Sequence, residues 1–344
     1  MFGWLLGDTG GVGVMSAPVD TMPVDPDEDG IRLDRWFKLH FPDLTYGHLQ
    51  KLLRSGQIRV ESKRAQSNTR LSAGQRIRVP KSAREPVARK PSVKPPPGLS
   101  KADRKFIESL ILFEDDAVVV LNKPFGIAVQ GGSGTRRHLD GLLAGMVDRF
   151  GSRPRLVHRL DRDTTGVLMV AKTRDAAAKL GRTFQTRSAA KTYWALVVGV
   201  PRPAQGKIEA ALVKASGPDG DRVRKAAPGE QDKAMHATTH YSVIEVVARK
   251  AAWVSLKPVT GRQHQLRAHM ALIGHPIAGD NKYDGQLSLA DDVIANKLHL
   301  HARRLIIPHP NGGAKLDVTA PMPDHMIESW ATLGLDPTRF DADG

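Results

Sequence analysis

One carboxylate set among arginines is the strongest chemical feature of the chain. In His158-Arg159-Leu160-Asp161-Arg162-Asp163-Thr164-Thr165-Gly166, Asp161 lies just ahead of the apolar run Val167-Leu168-Met169-Val170-Ala171. A run that short after a Thr/Gly turn reads as a buried strand, which puts Asp161 in a loop at the mouth of a sheet. Flanking arginines there can keep the carboxylate ionised and hold polyanions nearby. Such a group can serve as nucleophile or general base. Competing constellations weaken on inspection. Asp161 and Asp163 are separated by an arginine and lack the further carboxylates of a metal site. His264 and His269 stand five apart, unlike the i, i+4 pair that binds zinc on a helix. His299-Leu300-His301 reads as two structural histidines on one face of a strand. Gly131-Gly132-Ser133-Gly134 lacks the Gly-Lys-Ser/Thr of a phosphate loop.

Three more stretches accompany this loop in order. Val119-Val120-Leu121-Asn122-Lys123-Pro124-Phe125-Gly126 precedes it, and Lys191-Thr192-Tyr193-Trp194-Ala195-Leu196-Val197 follows. Last comes Thr260-Gly261-Arg262-Gln263-His264-Gln265-Leu266-Arg267-Ala268-His269, continuing to Gly274-His275-Pro276-Ile277, Gly279-Asp280 and Tyr283. Together the four motifs resemble those of the RluA-type pseudouridine synthases over roughly residues 30–330, with Thr165 where serine is commoner. The Gly131–Gly134 segment most resembles that of RluC-type members, which modify large-subunit ribosomal RNA, and reads as a flexible loop facing RNA.

The resemblance implies an isomerase that breaks the C1′–N1 bond of a uridine, turns the held uracil and joins C5 to C1′. No metal, redox change or cofactor is needed. Asp161 would act on the sugar, either attacking C1′ or removing the C2′ proton; the residues leave both open. The base must leave its stack at a cost on the order of a few kcal/mol. Arg159 would fill the vacated space with its planar guanidinium. Tyr193 would stack on the uracil and could relay the C5 proton. Arg267 would pair with Asp161 and offset its desolvation. Asp161, Tyr193 and Arg267 are thus the expected catalytic residues, and His158, Arg159, Arg262, His264 and Gln265 the expected substrate-binding ones. The same reaction on transfer RNA is the near alternative. A non-catalytic RNA-binding assembly factor is the alternative of a different class, and the intact trio argues against it.

These residues need a scaffold, and 344 residues suffice for two domains. Lys and Arg number 51 against 36 Asp and Glu, a net charge of +15 that favours a polyanionic partner. The absence of cysteine excludes disulfides, thiolate metal sites and cysteine nucleophiles. No apolar run is long enough to span a bilayer. A monomeric, cytoplasmic RNA-binding protein is the expectation.

Residues 1–29 read as a disordered N-terminus. Residues 30–80 resemble a small S4 RNA-binding domain: apolar helical spacing at Leu33, Trp36, Phe37 and Leu39, then a helix capped by Thr45 carrying Leu49, Leu52 and Leu53. Short strands follow at 58–60 and 76–79, and Lys51, Arg54, Arg59, Lys63 and Arg64 are the expected phosphate contacts. Glu61-Ser62-Lys63-Arg64 stands where a tight Asn-Gly turn is usual, which leaves the geometry of the hairpin there open. Residues 81–99, rich in proline and basic residues, read as a semi-rigid linker. Residues 100–335 form the catalytic domain. Its strands are expected at 117–122, 167–172, 193–200, 239–247 and 253–256, and its helices near 138–149, 174–184 and 263–272. Without regular βα alternation this is an α+β fold on a mixed, largely antiparallel sheet.

Overall fold

The computed structural model describes residues 20–84, 99–131, 135, 137–217, 220–286 and 294–340. The chain divides into two compact units, residues 1–94 and 95–344. Most of the expected linker, residues 85–98, lies outside the described residues, as do Gly132–Gly134 of the glycine-rich segment.

The first unit contains β1 (Asp20–Pro23), α1 (Leu33–His40), α2 (Tyr46–Arg54), β2 (Arg59–Val60), β3 (Lys63–Arg64) and β4 (Arg76–Val79). The strands form an antiparallel sheet in the order β1-β4-β2-β3. Both helices are amphipathic. Leu33, Trp36 and Phe37 of α1 and Leu49, Leu52 and Leu53 of α2 share a core with Ile58, Ile77 and Val79. The Thr45 hydroxyl accepts from the His48 amide at 3.3 Å and caps α2. Leu39, by contrast, is 65% exposed and belongs to no core.

One expectation needs correction here, and one open point is resolved. Residues 20–29 are ordered, not disordered: Asp20–Pro23 pairs along β4 and Val24 is buried in the core. Residues 1–19 lie outside the described residues. The hairpin of β2 and β3 is regular, since Val60 pairs with Lys63 across a two-residue turn. Glu61 (φ 48°) and Ser62 (φ 62°) supply the two left-handed residues that the right-handed strand twist demands.

The second unit opens with α3 (Lys101–Ser109), β5 (Ile111–Glu114), β6 (Val118–Lys123), α4 (Leu139–Ala144), α5 (Val147–Phe150), β7 (Arg155–Leu156) and β8 (Thr165–Ala171). It continues through α6 (Arg174–Gln185), β9 (Ala190–Val198), β10 (Gln205–Gly217), β11 (Gly220–Lys225), β12 (Met235–Val247) and β13 (Ala251–Pro258). α7 (Gln265–Leu272), β14 (Leu300–Pro308), β15 (Lys315–Thr319) and α8 (Asp324–Thr332) complete it. Eleven strands make one sheet, ordered β11-β10-β12-β13-β9-β14-β8-β6-β5, with β15 beside β14 and β7 beside β8. Only β14 and β8 run parallel among the described pairings. The mixed, largely antiparallel α+β architecture therefore holds. The expected helix at 138–149 is broken in two at Gly145-Met146.

The centre of this sheet positions the chemistry. β8 is buried along its whole length, and cores of Val, Leu, Ile and Met cover both of its faces. Its parallel neighbour β14 comes very close at Gly166. A Cβ there would collide with the Ala302 carbonyl, and φ is 105°, so only glycine fits. That close approach fixes where the Asp161 loop ends.

Candidate active site

The loop carrying Asp161 connects β7 to β8 and is tied down from three sides. The Thr164 amide donates to the Asp161 carbonyl at 3.2 Å, closing a turn. The fully buried Lys123 ammonium donates to the carbonyls of Pro124 (2.9 Å), Arg162 (2.7 Å) and Thr164 (2.8 Å). Burial pushes the Lys123 pKa down to about 7, opposed by Asp163 and then Asp161. From β14, His301 Nδ1 meets the Thr165 hydroxyl at 2.8 Å. His158 locks the loop's start: its Nε2 accepts the Met169 amide at 2.8 Å and its ring stacks on Phe184 at 4.6 Å. Burial, then Lys191, lowers its pKa to about 3, so the ring is neutral.

Opposite Asp161 stands the start of α7. Thr260 and the Arg262 amide donate to Gln265 Oε1 at 2.7 and 3.0 Å. Gln265 Nε2 donates to the Thr238 carbonyl and the Thr239 hydroxyl at 2.9 and 3.0 Å. All four hydrogen-bonding positions of this buried amide are taken by the protein. Gln265 thus shapes the turn that presents His264 and Arg267. His264 sits in the left-handed region (φ 50°), a strain of about 1–3 kcal/mol in a non-glycine residue. Its Nε2 lies 3.9 Å from Asp161 Oδ2 and its Nδ1 lies 3.2 Å from the Tyr283 hydroxyl, which accepts from the Val223 amide. Burial lowers the His264 pKa, with Asp161 opposing.

Arg267 meets Asp161 as expected, but it is held more tightly by a second carboxylate. Asp280, whose side chain is fully buried, grips it bidentately, Nε to Oδ2 and Nη2 to Oδ1, both at 2.7 Å. Only Nη1 is left toward Asp161 Oδ2, at 3.9 Å. Asp161 therefore meets Arg267 across an ionic gap, because another carboxylate holds the guanidinium by two edges. Burial opposes the Arg267 charge, but the hydrogen bonds and attraction of Asp280, then Asp161, outweigh it and raise its pKa. Its guanidinium also stands over the Tyr283 ring at 5.2 Å.

Tyr193 lies mid-sheet on β9, paired with Leu256 of β13 and Ala302 of β14. Burial, with Asp161 second, raises its pKa and keeps the phenol neutral. These residues border a cleft of about 690 Å³. Its described lining holds one carboxylate, Asp161, and six cations: Arg159, Arg187, Lys191, Lys214, Arg262 and Arg267. Arg159 is exposed without a partner among the described residues, and Arg262 Nε donates to the His236 carbonyl at 3.1 Å. The acidic pair is separated, since Arg162 folds onto Asp163 at 2.9 and 3.1 Å.

The eight residues expected at the site all border this one cleft. Sequence reasoning gave no role to Lys123, Asp280, Tyr283 or Lys191, although each lies within a quoted motif. Arg187 and Lys214 carried no signal beyond charge. The five expected phosphate contacts of the first unit, Lys51, Arg54, Arg59, Lys63 and Arg64, meet no carboxylate among the described residues.

Comparison with known proteins gives a consistent result. Residues 117–272 match the family described as RNA pseudouridylate synthase. The Escherichia coli protein named ribosomal large subunit pseudouridine synthase C is 35% identical over 315 residues, 88% of this chain and 93% of that one. Arabidopsis thaliana RNA pseudouridine synthase 4, mitochondrial, is 35% identical over 371 residues, 90% of this chain and 76% of that one. The solved structure of human RNA pseudouridylate synthase domain containing 4 superposes with a TM-score of 0.57 at 30% identity, covering 68% of this chain and 98% of that chain.

Proposed function

The chain belongs to the RluA-type family of RNA pseudouridine synthases, and we propose that it isomerises uridine in large-subunit ribosomal RNA, with Asp161 acting on the sugar. The observation that carries the site assignment is the lone cleft carboxylate among six cations, facing Arg267 and His264 at 3.9 Å and close to Tyr193. Neither contact is a direct hydrogen bond, so a substrate oxygen lying beside the groups can bond to Asp161 and its neighbours from the open side of the cleft. The relatives named for the ribosomal large subunit support the RNA class.

In this reading Asp161 either attacks C1′ or takes the C2′ proton. Asp280 holds Arg267 so that one guanidinium nitrogen faces Asp161 as charge shifts during the reaction. Tyr193 supports the uracil face, and its neutral phenol can exchange a proton near C5. Arg159, exposed at the cleft mouth, occupies the place of the extruded base. Arg262 and His264 hold the nucleotide, while His158 and Gln265 act through the loops they brace.

The first unit is an S4-like RNA-binding domain in the same proposal. A helix pair on a small sheet supports it, as does the convergence of Arg59 and Arg64 beside Gly56 at the end of α2. Lys51, Arg54, Arg59, Lys63 and Arg64 are its phosphate contacts.

The test is tritium release from 5-tritiated uridine in transcribed large-subunit RNA, beside filter binding. Wild type releases tritium. Asp161→Asn, isosteric but neither basic nor usefully nucleophilic, abolishes release while affinity stays near wild type. Substantial turnover by the variant would remove Asp161 from the mechanism; release only from transfer RNA would overturn the substrate class.

A further inference from the structure

We propose that Lys191 binds the backbone phosphate of the target nucleotide, forming a subsite inside the cleft that is separate from the basic rim. The cations of the cleft differ in what they already do. Arg267 is held by Asp280 and Arg262 by the His236 carbonyl, while Arg159, Arg187 and Lys214 are exposed to water. Lys191 alone among the six is drawn half into the protein without a hydrogen bond or ion pair among the described residues. Burial lowers its pKa and nothing nearby compensates. The His158 ring, which feels the Lys191 charge, is neutral. An ammonium held this way is poised for an anion that arrives with the substrate.

The position of Lys191 selects the anion. Lys191 and Tyr193 are two residues apart on β9, so both side chains leave the same face of the strand, with Cα atoms roughly 7 Å apart. A base resting on Tyr193 puts its own nucleotide's phosphate within reach of Lys191. Across the cleft the Nζ lies 3.9 Å from where a Cβ would stand on Gly261, so the bare backbone there leaves the ammonium open. A uracil carbonyl could accept a hydrogen bond but would leave the charge unneutralised. A phosphate supplies both oxygen acceptors and the opposite charge.

The inference rests on the assignment of Tyr193 to the base, and its test separates the two. Wild-type tritium release first identifies the substrate uridine; no release from any ribosomal or transfer RNA overturns the isomerase reading and this subsite with it. RNAs are then made with one uncharged methylphosphonate linkage, 5′ or 3′ of that uridine. Loss of one charged hydrogen-bonded contact weakens wild-type binding roughly ten- to a hundredfold at one of the two linkages. Lys191→Met is weakened by a similar factor on unmodified RNA and is indifferent to the same linkage. Its log–log salt slope is shallower by roughly 0.7–0.9. Lys191→Arg, which restores the charge, regains sensitivity to the linkage, a response that mere structural damage would not reproduce. If Lys191→Met responds to the neutral linkage as strongly as wild type, or wild type tolerates both linkages, the subsite is wrong.

Discussion

Replacing Arg267 with methionine strands Asp280 more than Asp161. The Asp280 side chain is fully buried, and two of its hydrogen bonds come from that guanidinium. Removing one partner of a buried pair costs about 3–5 kcal/mol, so Arg267→Met should lower the urea midpoint as well as abolish tritium release. Arg267→Lys should recover part of the stability and less of the activity, because a point charge cannot hold both oxygens and still face Asp161. An unchanged midpoint in Arg267→Met would show that the pair adds nothing. At this scale the sequence was most informative where residue types carried the signal. Asp161, Tyr193 and Arg267, far apart in the chain, do border one cleft. The second and tighter partner of Arg267 was not legible, because Asp280 lies past the end of α7 and no spacing rule links a helix residue to a following loop. Lys123 was quoted only as part of a turn; its clamp on the Asp161 loop depends on β6 and β8 being neighbours.

At the scale of elements, the sheet holds its central strands with neutral histidines. His301, fully buried on β14, donates from Nε2 to the Ala320 carbonyl and accepts the Thr165 hydroxyl at Nδ1. Burial lowers its pKa to about 3, and lowers those of His299 and His269 to about 4. In the unfolded chain these rings titrate near about 6.5. Between that value and the folded values the unfolded state binds more protons. The stabilisation is therefore complete above about pH 6.5 and is lost as pH falls toward 4 and 3. By pH 5 each ring should cost up to about 2 kcal/mol, read as a falling urea midpoint between pH 7 and pH 5. A flat midpoint over that interval would mean the rings are hydrated or already charged. The paired histidines were legible as structural from their strand spacing. β10 and β11 were not read as strands, because small and charged residues between their apolar positions blur the alternation. The β2–β3 turn stayed open for a related reason. Its left-handed backbone is imposed by pairing with β4, while Glu61 and Ser62 carry little local preference for it.

For the whole molecule, the division of labour between the two units can be tested by removing residues 1–94. Each unit has its own apolar core, so the remaining unit should fold, and every proposed catalytic residue lies within it. In the first unit, the five expected phosphate contacts Lys51, Arg54, Arg59, Lys63 and Arg64 have no carboxylate partners among the described residues. Losing their phosphate contacts should weaken RNA binding and reduce the magnitude of the log–log salt slope by roughly 0.7–0.9 for each contact removed. Binding energy supplied equally to ground and transition states lowers KM without raising kcat. The truncated enzyme should therefore show a raised KM and a single-turnover rate near wild type at saturating RNA. Retained affinity with an unchanged slope would refute the RNA-binding role of the first unit. A collapsed saturated rate, with the fold intact by circular dichroism, would instead mean that the first unit helps set the uridine against Asp161. The net charge of +15 would then serve orientation as well as capture.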